Sequence, residues 1–171
     1  MVCTTMRTTI ISAVLAALVS PAFAQEPVGC DKFKWPVERE MAALRSADLK
    51  TVASGSDLAG LPFAAKITLR APKDAALPMP PERAPKDGTF AGFLSSKGVA
   101  AGVYSVSLSE GAWLDVVQNG QFLKVKSFSG VQGCDGIRKV VKFELGGAPF
   151  TLQLSGVTSD QIVVAVMPGS D

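Results

Sequence analysis

The alternation of apolar and polar residues along most of the chain is the pattern of β-strands. From Phe63 onward, Ala65, Ile67 and Leu69 alternate with charged or hydroxyl-bearing side chains, which is the period of a strand with one face in water. Further strand-like runs, separated by turn residues, follow at 89–95, 101–109, 112–118, 121–128, 138–145, 149–155 and 161–167. The alternation predicts two inward faces, one with Ile137, Val141, Phe143 and Leu145 and one with Phe150, Leu152 and Leu154. Residues 162–167 are all apolar, which predicts a central strand that is covered on both faces.

A single segment near the start has the period of a helix instead. Val37, Met41 and Leu44 are spaced by four and three residues and therefore share one helical face. Pro36 suits the first helical turn, where its missing N–H would have no partner anyway. We predict one helix at 36–47 and about eight strands. Because helices and strands do not alternate, the expected fold is mainly β, an antiparallel β-sandwich or jelly roll.

Two stretches between strands carry distinct turn and loop signals. Asn119-Gly120 separates two strand-like runs, and both residues tolerate the positive φ of a type I′ hairpin turn. The Pro-rich segment 71–87 holds five of the eleven prolines, and proline donates no hydrogen bond to a sheet. Its mixed, unpatterned charges favour a stiff loop that crosses from one sheet to the other. The alternative is a docking arm for a partner with an aromatic groove.

Residues 1–24 have the pattern of a cleavable secretory signal peptide. Arg7 precedes an apolar stretch at 10–19, and small residues at 22 and 24 match a signal-peptidase site. The apolar stretch is too short for a permanent membrane span. We therefore expect residues 25–171 to form one domain in the periplasm or outside the cell.

The two cysteines beyond residue 24, Cys30 and Cys134, are expected to form a disulfide. An even pair in an exported protein is most simply a structural bridge. The alternative, a redox-active or metal-binding pair, lacks both C-x-x-C spacing and any histidine. The disulfide would tie the start of the domain to a loop near its end.

The absence of histidine narrows the possible chemistry more than any residue that is present. The chain contains no histidine, which excludes Ser-His-Asp and Cys-His hydrolases and histidine-ligated metal sites. No P-loop, dinucleotide fingerprint or Asp-x-Asp-x-Asp run occurs, so neither a cofactor nor a metal is predicted. The formal net charge is +2 with no local run of Lys or Arg, which gives no reason to expect nucleic-acid binding.

The strand-like run 112–118 supplies the first candidate binding residues, Trp113 and Asp115. If the apolar residues that alternate with them face the core, these two stand side by side on the outer face. An aromatic ring beside a carboxylate can stack on a sugar ring and hold its hydroxyl groups. The alternative is that Trp113 belongs to the core and that Asp115 pairs with Lys124 or Lys126.

The glycine-rich loop 129–136 supplies the second set of candidates, Gln132, Asp135 and, directly after the loop, Arg138. Its glycines would free backbone N–H groups and its cysteine would fix its position, which suits a small anionic or polyol ligand. The alternative is a connection that the disulfide staples for stability alone.

Several blocks of the sequence resemble known kinds of protein. Residues 102–106, 112–116 and 133–139, together with the opening Cys30-Asp31-Lys32-Phe33-Lys34-Trp35, resemble small exported proteins of Gram-negative bacteria that have no assigned function. This resemblance covers most of the chain after residue 24 and carries over no catalytic residues. The progression Gly-x-Tyr-x-Val, Trp-x-Asp-Val, Asn-Gly is also similar to that of sugar-binding β-sandwich modules.

These observations predict an exported, non-catalytic binding domain whose ligand is a glycan or another envelope component. Two alternatives stay open. One is an envelope structural or assembly protein that binds a protein partner through segment 71–87. The other is a histidine-free hydrolase that uses Asp115 with Glu110 or Asp135, because a pair of carboxylates suffices for glycoside hydrolysis.

Overall fold

Ten strands form two sheets, and one helix lies outside them, in a computed structural model that describes residues 26–169. The helix α1 spans Glu38–Leu44, and short 3-10 turns occur at Cys30–Lys32 and Pro72–Asp74. The strands are β1 Lys50–Ala53, β2 Phe63–Thr68, β3 Phe90–Ser96, β4 Gly102–Leu108, β5 Trp113–Gln118, β6 Gln121–Phe122, β7 Ser127–Gly130, β8 Lys139–Leu145, β9 Phe150–Val157 and β10 Gln161–Pro168. The predicted signal peptide, residues 1–24, lies outside the described residues. Within residues 26–169, no helix is long and apolar enough to cross a membrane.

The two sheets confirm the mainly β, sandwich-like fold expected from the sequence. The larger sheet has the order β1-β2-β10-β4-β8-β7, and the smaller has the order β3-β9-β5-β6. Neighbouring strands are antiparallel, except that β1 pairs with β2 in parallel. β10 lies inside the six-stranded sheet with side chains buried on both faces, which is the central position that its apolar residues predict.

Apolar side chains from the inner faces of both sheets form the main core. Leu152 and Leu154 of β9 meet Val141, Phe143 and Leu145 of β8 in this cluster, and both rows follow the alternation predicted from the sequence. All five side chains are at most 3% exposed. Burying a side chain of this size stabilises a fold by about 1.5–3 kcal/mol, so the inter-sheet core is the main source of stability.

A second apolar cluster fills the space between α1 and the outer face of the six-stranded sheet. Val37 and Leu44 contact this face, which presents Val140 and Ala165, and Met41 packs against the same cluster. The helical face predicted from the spacing is therefore the one that is buried. The helix is shorter than the predicted 36–47, because Val37 is its N-cap with a non-helical φ of −128° and Arg45 is its C-cap.

Three details of the strands differ from the sequence prediction. Ile137, expected beside Val141 on the inner face, lies in the helix-covered cluster because it precedes β8, in the turn that follows Cys134. β1 was not predicted from the sequence, because only one of its residues, Val52, packs against the core and the strand therefore has no apolar alternation. The predicted strand 121–128 divides into β6 and β7, because the chain leaves the four-stranded sheet and joins the six-stranded sheet between them.

The turn between β5 and β6 has the predicted conformation. Gln118 pairs with Gln121 across it, and φ is 55° at Asn119 and 73° at Gly120. Positive φ at both central residues defines a type I′ turn, whose twist matches that of the flanking strands.

The disulfide and the backbone around it bind the start of the described chain to the loop before β8. The sulfur atoms of Cys30 and Cys134 lie 2.02 Å apart, as a disulfide. The N–H of Gly29 donates to the carbonyl of Gln132 at 2.8 Å, and the N–H of Gln132 donates to the carbonyl of Pro27 at 2.8 Å. These contacts place residues 26–34 beside the first residues of β8.

Candidate functional site

Trp113, the first residue of β5, lies on the outer face of the four-stranded sheet. Its neighbours Leu114 and Val116 belong to the core, so strand alternation turns Trp113 and Asp115 outward, as the sequence predicts. The indole Nε1–H donates a hydrogen bond of 2.7 Å to Asp115 Oδ1. The Trp113 ring is partly exposed, whereas Asp115 is only 3% exposed. The carboxylate thus fixes the orientation of the ring.

Asp115 and Gln153 also fasten the Pro-rich segment 71–87 to the sheet. They are register partners on β5 and β9, and both are buried. The backbone N–H of Glu82 donates to Asp115 Oδ2 at 3.2 Å. Gln153 accepts from the N–H of Met79 at 2.9 Å and donates from Nε2 to its carbonyl at 3.1 Å. These side chains replace the hydrogen bonds that a proline-rich backbone does not find in a sheet.

The buried position of Asp115 changes the pKa of its carboxyl group. Burial raises the pKa of Asp115 above its ordinary value of 3.8, and the charge of Glu82 acts in the same direction. The hydrogen bonds from Glu82 and Trp113, and the positive charge of Lys139, lower the same pKa. Each carboxylate oxygen accepts one hydrogen bond, from Trp113 or from Glu82, so Asp115 orients both neighbours.

A basic cavity of about 570 Å³ opens beside the Trp113 ring. Among the described residues that line it, six are basic and one, Glu26, is acidic. The basic residues are Lys32, Lys34, Arg83, Lys86, Arg138 and Lys139. They come from the disulfide-tethered N-terminal segment, from the Pro-rich segment and from the start of β8. Folding therefore creates a cluster of positive charge where the sequence contains no basic run.

Two of these cations lie against the Trp113 ring. The Arg83 guanidinium carbon lies 5.7 Å and Lys139 Nζ lies 5.9 Å from the centroid of the Trp113 ring. Both distances are within the range of cation–π attraction. Lys139 Nζ also donates to the carbonyl of Ala112 at 3.2 Å. Burial lowers the pKa of Lys139, and the charge of Arg138 lowers it further. An anion in the cavity would offset both effects by favouring the charged amine.

Arg138 forms the rim of the cavity together with Glu26. Arg138 Nη1 donates to the carbonyl of Val131 at 2.8 Å, and Nη2 donates to the Glu26 carboxylate. Gln132 Nε2 donates to the same carboxylate at 3.2 Å. The hydrogen bond from Gln132 and that from Arg138 lower the pKa of Glu26, so this acid is ionised and held in place at neutral pH.

Phe128 provides a second aromatic wall. Lys34 Nζ lies 5.0 Å from the centroid of the Phe128 ring. The Lys34 backbone N–H donates to Ser129 Oγ at 3.0 Å. Phe128 is 55% exposed, so much of its ring surface is open to a ligand.

An apolar cleft of about 410 Å³ adjoins the basic cavity. Trp113, Phe128 and Lys139 line both spaces. The rest of the cleft is largely apolar, with Leu114, Phe122, Leu123, Val125 and Val141, and its other charged residues are Glu82, Asp115 and Lys124.

The structure brings together four of the five residues proposed from the sequence. Trp113 and Arg138 line the basic cavity, and Asp115 and Gln132 contact its lining through hydrogen bonds. Asp135 lies apart and binds Arg45, which donates to its backbone carbonyl and, at 3.4 Å, to its carboxylate.

The carboxylate pairs considered for hydrolysis are not formed at this site. Neither Glu110 nor Asp135 lines the basic cavity or the apolar cleft within the described part of the chain. The acid whose charge acts on Asp115 is Glu82, and Asp115 itself is only 3% exposed. No group of three or more Asp, Glu or Cys side chains among residues 26–169 is placed to hold a metal ion.

Sequence reasoning missed Lys32, Lys34, Arg83, Lys86 and Phe128. One available signal was the disulfide itself, since a bond from Cys30 to Cys134 places the lysines that follow the first cysteine near the basic residues that follow the second. The sequence carries no signal that segment 71–87 supplies Arg83 and Lys86 to the cavity, because nothing in the segment indicates which sheet face it covers.

Comparisons with known proteins leave the family open. A scan against protein-family models finds no match, and no curated protein or solved structure matches the chain. The resemblances stated from the sequence therefore stay predictions, and the function is argued from the site alone.

Proposed function

We propose that this chain is a non-catalytic binding domain for an acidic glycan of the cell envelope, located in the periplasm or outside the cell. The observation that carries the proposal is the partly exposed Trp113 ring, held by Asp115, at the edge of a cavity with six basic residues and one acidic residue. The disulfide and the signal-peptide pattern of residues 1–24 support the location.

The two kinds of lining match the two kinds of surface on an acidic sugar. An aromatic ring stacks on the apolar face of a sugar ring, and Trp113 and Phe128 both present such a surface. Lys and Arg bind carboxylate, sulfate or phosphate groups through charge-assisted hydrogen bonds. Arg138 pairs with Glu26 and Lys32 with Asp31, and the basic residues of the cavity still outnumber these acids, so an acidic ligand is favoured over a neutral sugar.

The protein-partner alternative has less support. A docking arm is a free segment, but segment 71–87 is fastened to its own sheet at Met79 and Glu82 by Gln153 and Asp115. The hydrolase alternative also has less support, because Asp115 is only 3% exposed and neither Glu110 nor Asp135 lines the cavity or the cleft.

The test is binding of residues 25–171, with the disulfide oxidised, to an array of acidic and neutral polysaccharides. We expect acidic polysaccharides to bind and the affinity to fall as NaCl rises. Trp113→Ala should weaken binding by at least tenfold, because it removes the stacking surface, while Trp113→Phe should keep much of it.

Two lysines of the Pro-rich segment form a matched pair for the charge argument. Lys86 lines the basic cavity and Lys73 does not, and both are exposed. Lys86→Gln should weaken binding several-fold and Lys73→Gln should leave it unchanged. Equal effects of the two substitutions, or equal affinity for single-stranded DNA of similar charge, would contradict the proposal.

A further inference from the structure

The apolar cleft exists because the sandwich is open on one side. Phe128 on β7 is the register partner of Val141 on β8, and Val141 belongs to the core, so Phe128 points toward the space between the sheets. It is nevertheless 55% exposed. The four-stranded sheet ends at the short β6 (Gln121–Phe122), and the chain then crosses to β7 without covering this ring.

The cleft continues into the core. Leu114 and Val141, which are 6% and 2% exposed, lie at its floor, and Val125, 46% exposed, lies at its mouth. Its volume of about 410 Å³ falls in the range of small-ligand pockets, roughly 300–1,000 Å³. An apolar group that enters here replaces water on both a strand face and a core surface.

Charge separates the two adjoining spaces. The basic cavity contains six basic residues and one acidic residue, whereas the cleft contains two acidic residues, Glu82 and Asp115, and two basic residues, Lys124 and Lys139, in a largely apolar lining. The positive charges outnumber the negative ones only in the basic cavity, so an anionic group is attracted to that space and an apolar chain is better suited to the cleft. Trp113 and Phe128 line both spaces, so a single molecule can extend from one to the other across these rings.

We infer that the ligand is an anionic amphiphile, an acidic sugar that carries an alkyl or acyl chain, with its acid group in the basic cavity and its chain in the apolar cleft. This inference rests on the proposed function, because it takes the acidic sugar as the head group. The ligand class is thus an acidic glycolipid, and a free polysaccharide would fill only half of the site.

The experiment compares three matched probes by titration calorimetry, each below the concentration at which it forms micelles. Methyl β-D-glucuronide has the acid without a chain, octyl β-D-glucuronide has both, and octyl β-D-glucoside has the chain without the acid. Each buried methylene improves affinity by about threefold to fourfold. We therefore expect octyl glucuronide to bind at least tenfold more tightly than either other probe, with a more negative heat-capacity change than methyl glucuronide.

Two exposed valines supply a variant and its matched control. Val125 lines the cleft, and Val28, 65% exposed, lines neither space. Val125→Asn should weaken octyl glucuronide at least threefold and leave methyl glucuronide unchanged. Val28→Asn should change neither affinity.

The outcomes separate this inference from the proposed function. Equal binding of methyl and octyl glucuronide would overturn the inference and leave the proposed function standing. An equal loss in Val28→Asn and Val125→Asn would also overturn the inference, because it would show that the chain adsorbs elsewhere. Octyl glucoside binding as tightly as octyl glucuronide, with no binding of methyl glucuronide, would contradict the acidic ligand and with it both proposals.

Discussion

The two sheets carry very different covers on their outer faces. The six-stranded sheet is covered by α1, whose Val37 and Leu44 are both 4% exposed and join an apolar cluster. The four-stranded sheet is covered by the Pro-rich segment 71–87, which is fastened by hydrogen bonds to Asp115 and Gln153. The first cover contributes a second core, whereas the second contributes Arg83 and Lys86 to a cavity.

The helix cover therefore contributes mainly to stability, and the Pro-rich cover contributes mainly to the proposed binding site. Apolar packing is lost over a whole surface when a cover is removed, so the helix and its sheet unfold together. A few hydrogen bonds of net value about 1 kcal/mol each can break singly, so the Pro-rich cover can loosen while the sandwich stays folded. The two covers should therefore differ in how much stability is lost when each is disturbed.

The disulfide, which lies on the helix-covered side, should have the largest effect. Cys134 packs in the helix-covered cluster, and the bridge joins residues 104 positions apart. In the chain-entropy model, a loop of about 100 residues corresponds to about 4–5 kcal/mol. The double variant Cys30→Ala/Cys134→Ala should lose most of this in urea unfolding, and a loss below about 1 kcal/mol would contradict the prediction.

Leucine truncation compares the two covers directly. Leu44→Ala in the helix should lower the free energy of unfolding by about 2–4 kcal/mol, because it leaves a cavity in a closely packed cluster. Leu77→Ala in the Pro-rich segment, where the side chain is only half-buried, should cost less than half of that. Equal losses in denaturant unfolding would remove the distinction between the covers.

The hydrogen-bond anchor of the Pro-rich cover should have a smaller and more local effect. Gln153→Leu keeps the volume but leaves both backbone groups of Met79 without their partner. Two hydrogen bonds of about 1 kcal/mol each give an expected loss of about 2 kcal/mol. Hydrogen exchange should speed up at Met79 and Glu82 but not in α1. Gln161→Leu, at an exposed position, is the control, and an equal rise in exchange throughout the protein would argue against a separate cover.

The smallest effect is the pH dependence that comes from Asp115. Because burial raises its pKa above 3.8 in the folded state, the native protein binds more protons than the unfolded chain between the two pKa values. The free energy of unfolding should therefore fall, from this group, as the pH rises from 3.8 through the raised pKa. Asp115→Asn replaces one of the two acceptor oxygens by an NH₂ group, which lowers stability at every pH. Because asparagine does not titrate, the variant lacks this dependence of stability on pH.

Thermal unfolding of the wild type and Asp115→Asn across the acidic range measures the difference. The stability of the wild type relative to the variant should decline as the pH rises. A relative stability that instead increases with pH would mean that the hydrogen bonds from Trp113 and Glu82 outweigh burial.

The strands were predictable from the sequence where each strand has its own local pattern. Alternation gave the inner face of β9, continuous apolar residues gave the central place of β10, and Asn119-Gly120 gave a hairpin with φ of 55° and 73°. The prediction of one strand at 121–128 was wrong, because the chain crosses from one sheet to the other at Lys124-Val125-Lys126. No local period in the sequence distinguishes such a crossing from a continuous strand.

The candidate site was predictable only in its local half. Trp113 and Asp115 are two positions apart on one strand, so alternation alone places them side by side on the outer face. The positive charge comes from three separate segments that meet through the disulfide and the Pro-rich crossing. A sequence read residue by residue shows a nearly neutral chain, because such clustering is a property of the tertiary fold.

The position of β10 has a consequence for the order in which the molecule assembles. It is the last of the ten strands in chain order, yet it pairs with β2 on one side and β4 on the other. Until Gln161–Pro168 is present, the larger sheet consists of two separate pieces, β1-β2 and β4-β8-β7. Pairings over such separations raise contact order and slow folding. Closure of this sheet thus requires Gln161–Pro168 to be synthesised first. A chain that stops before β10 would present two unpaired edges, those of β2 and β4, to its neighbours.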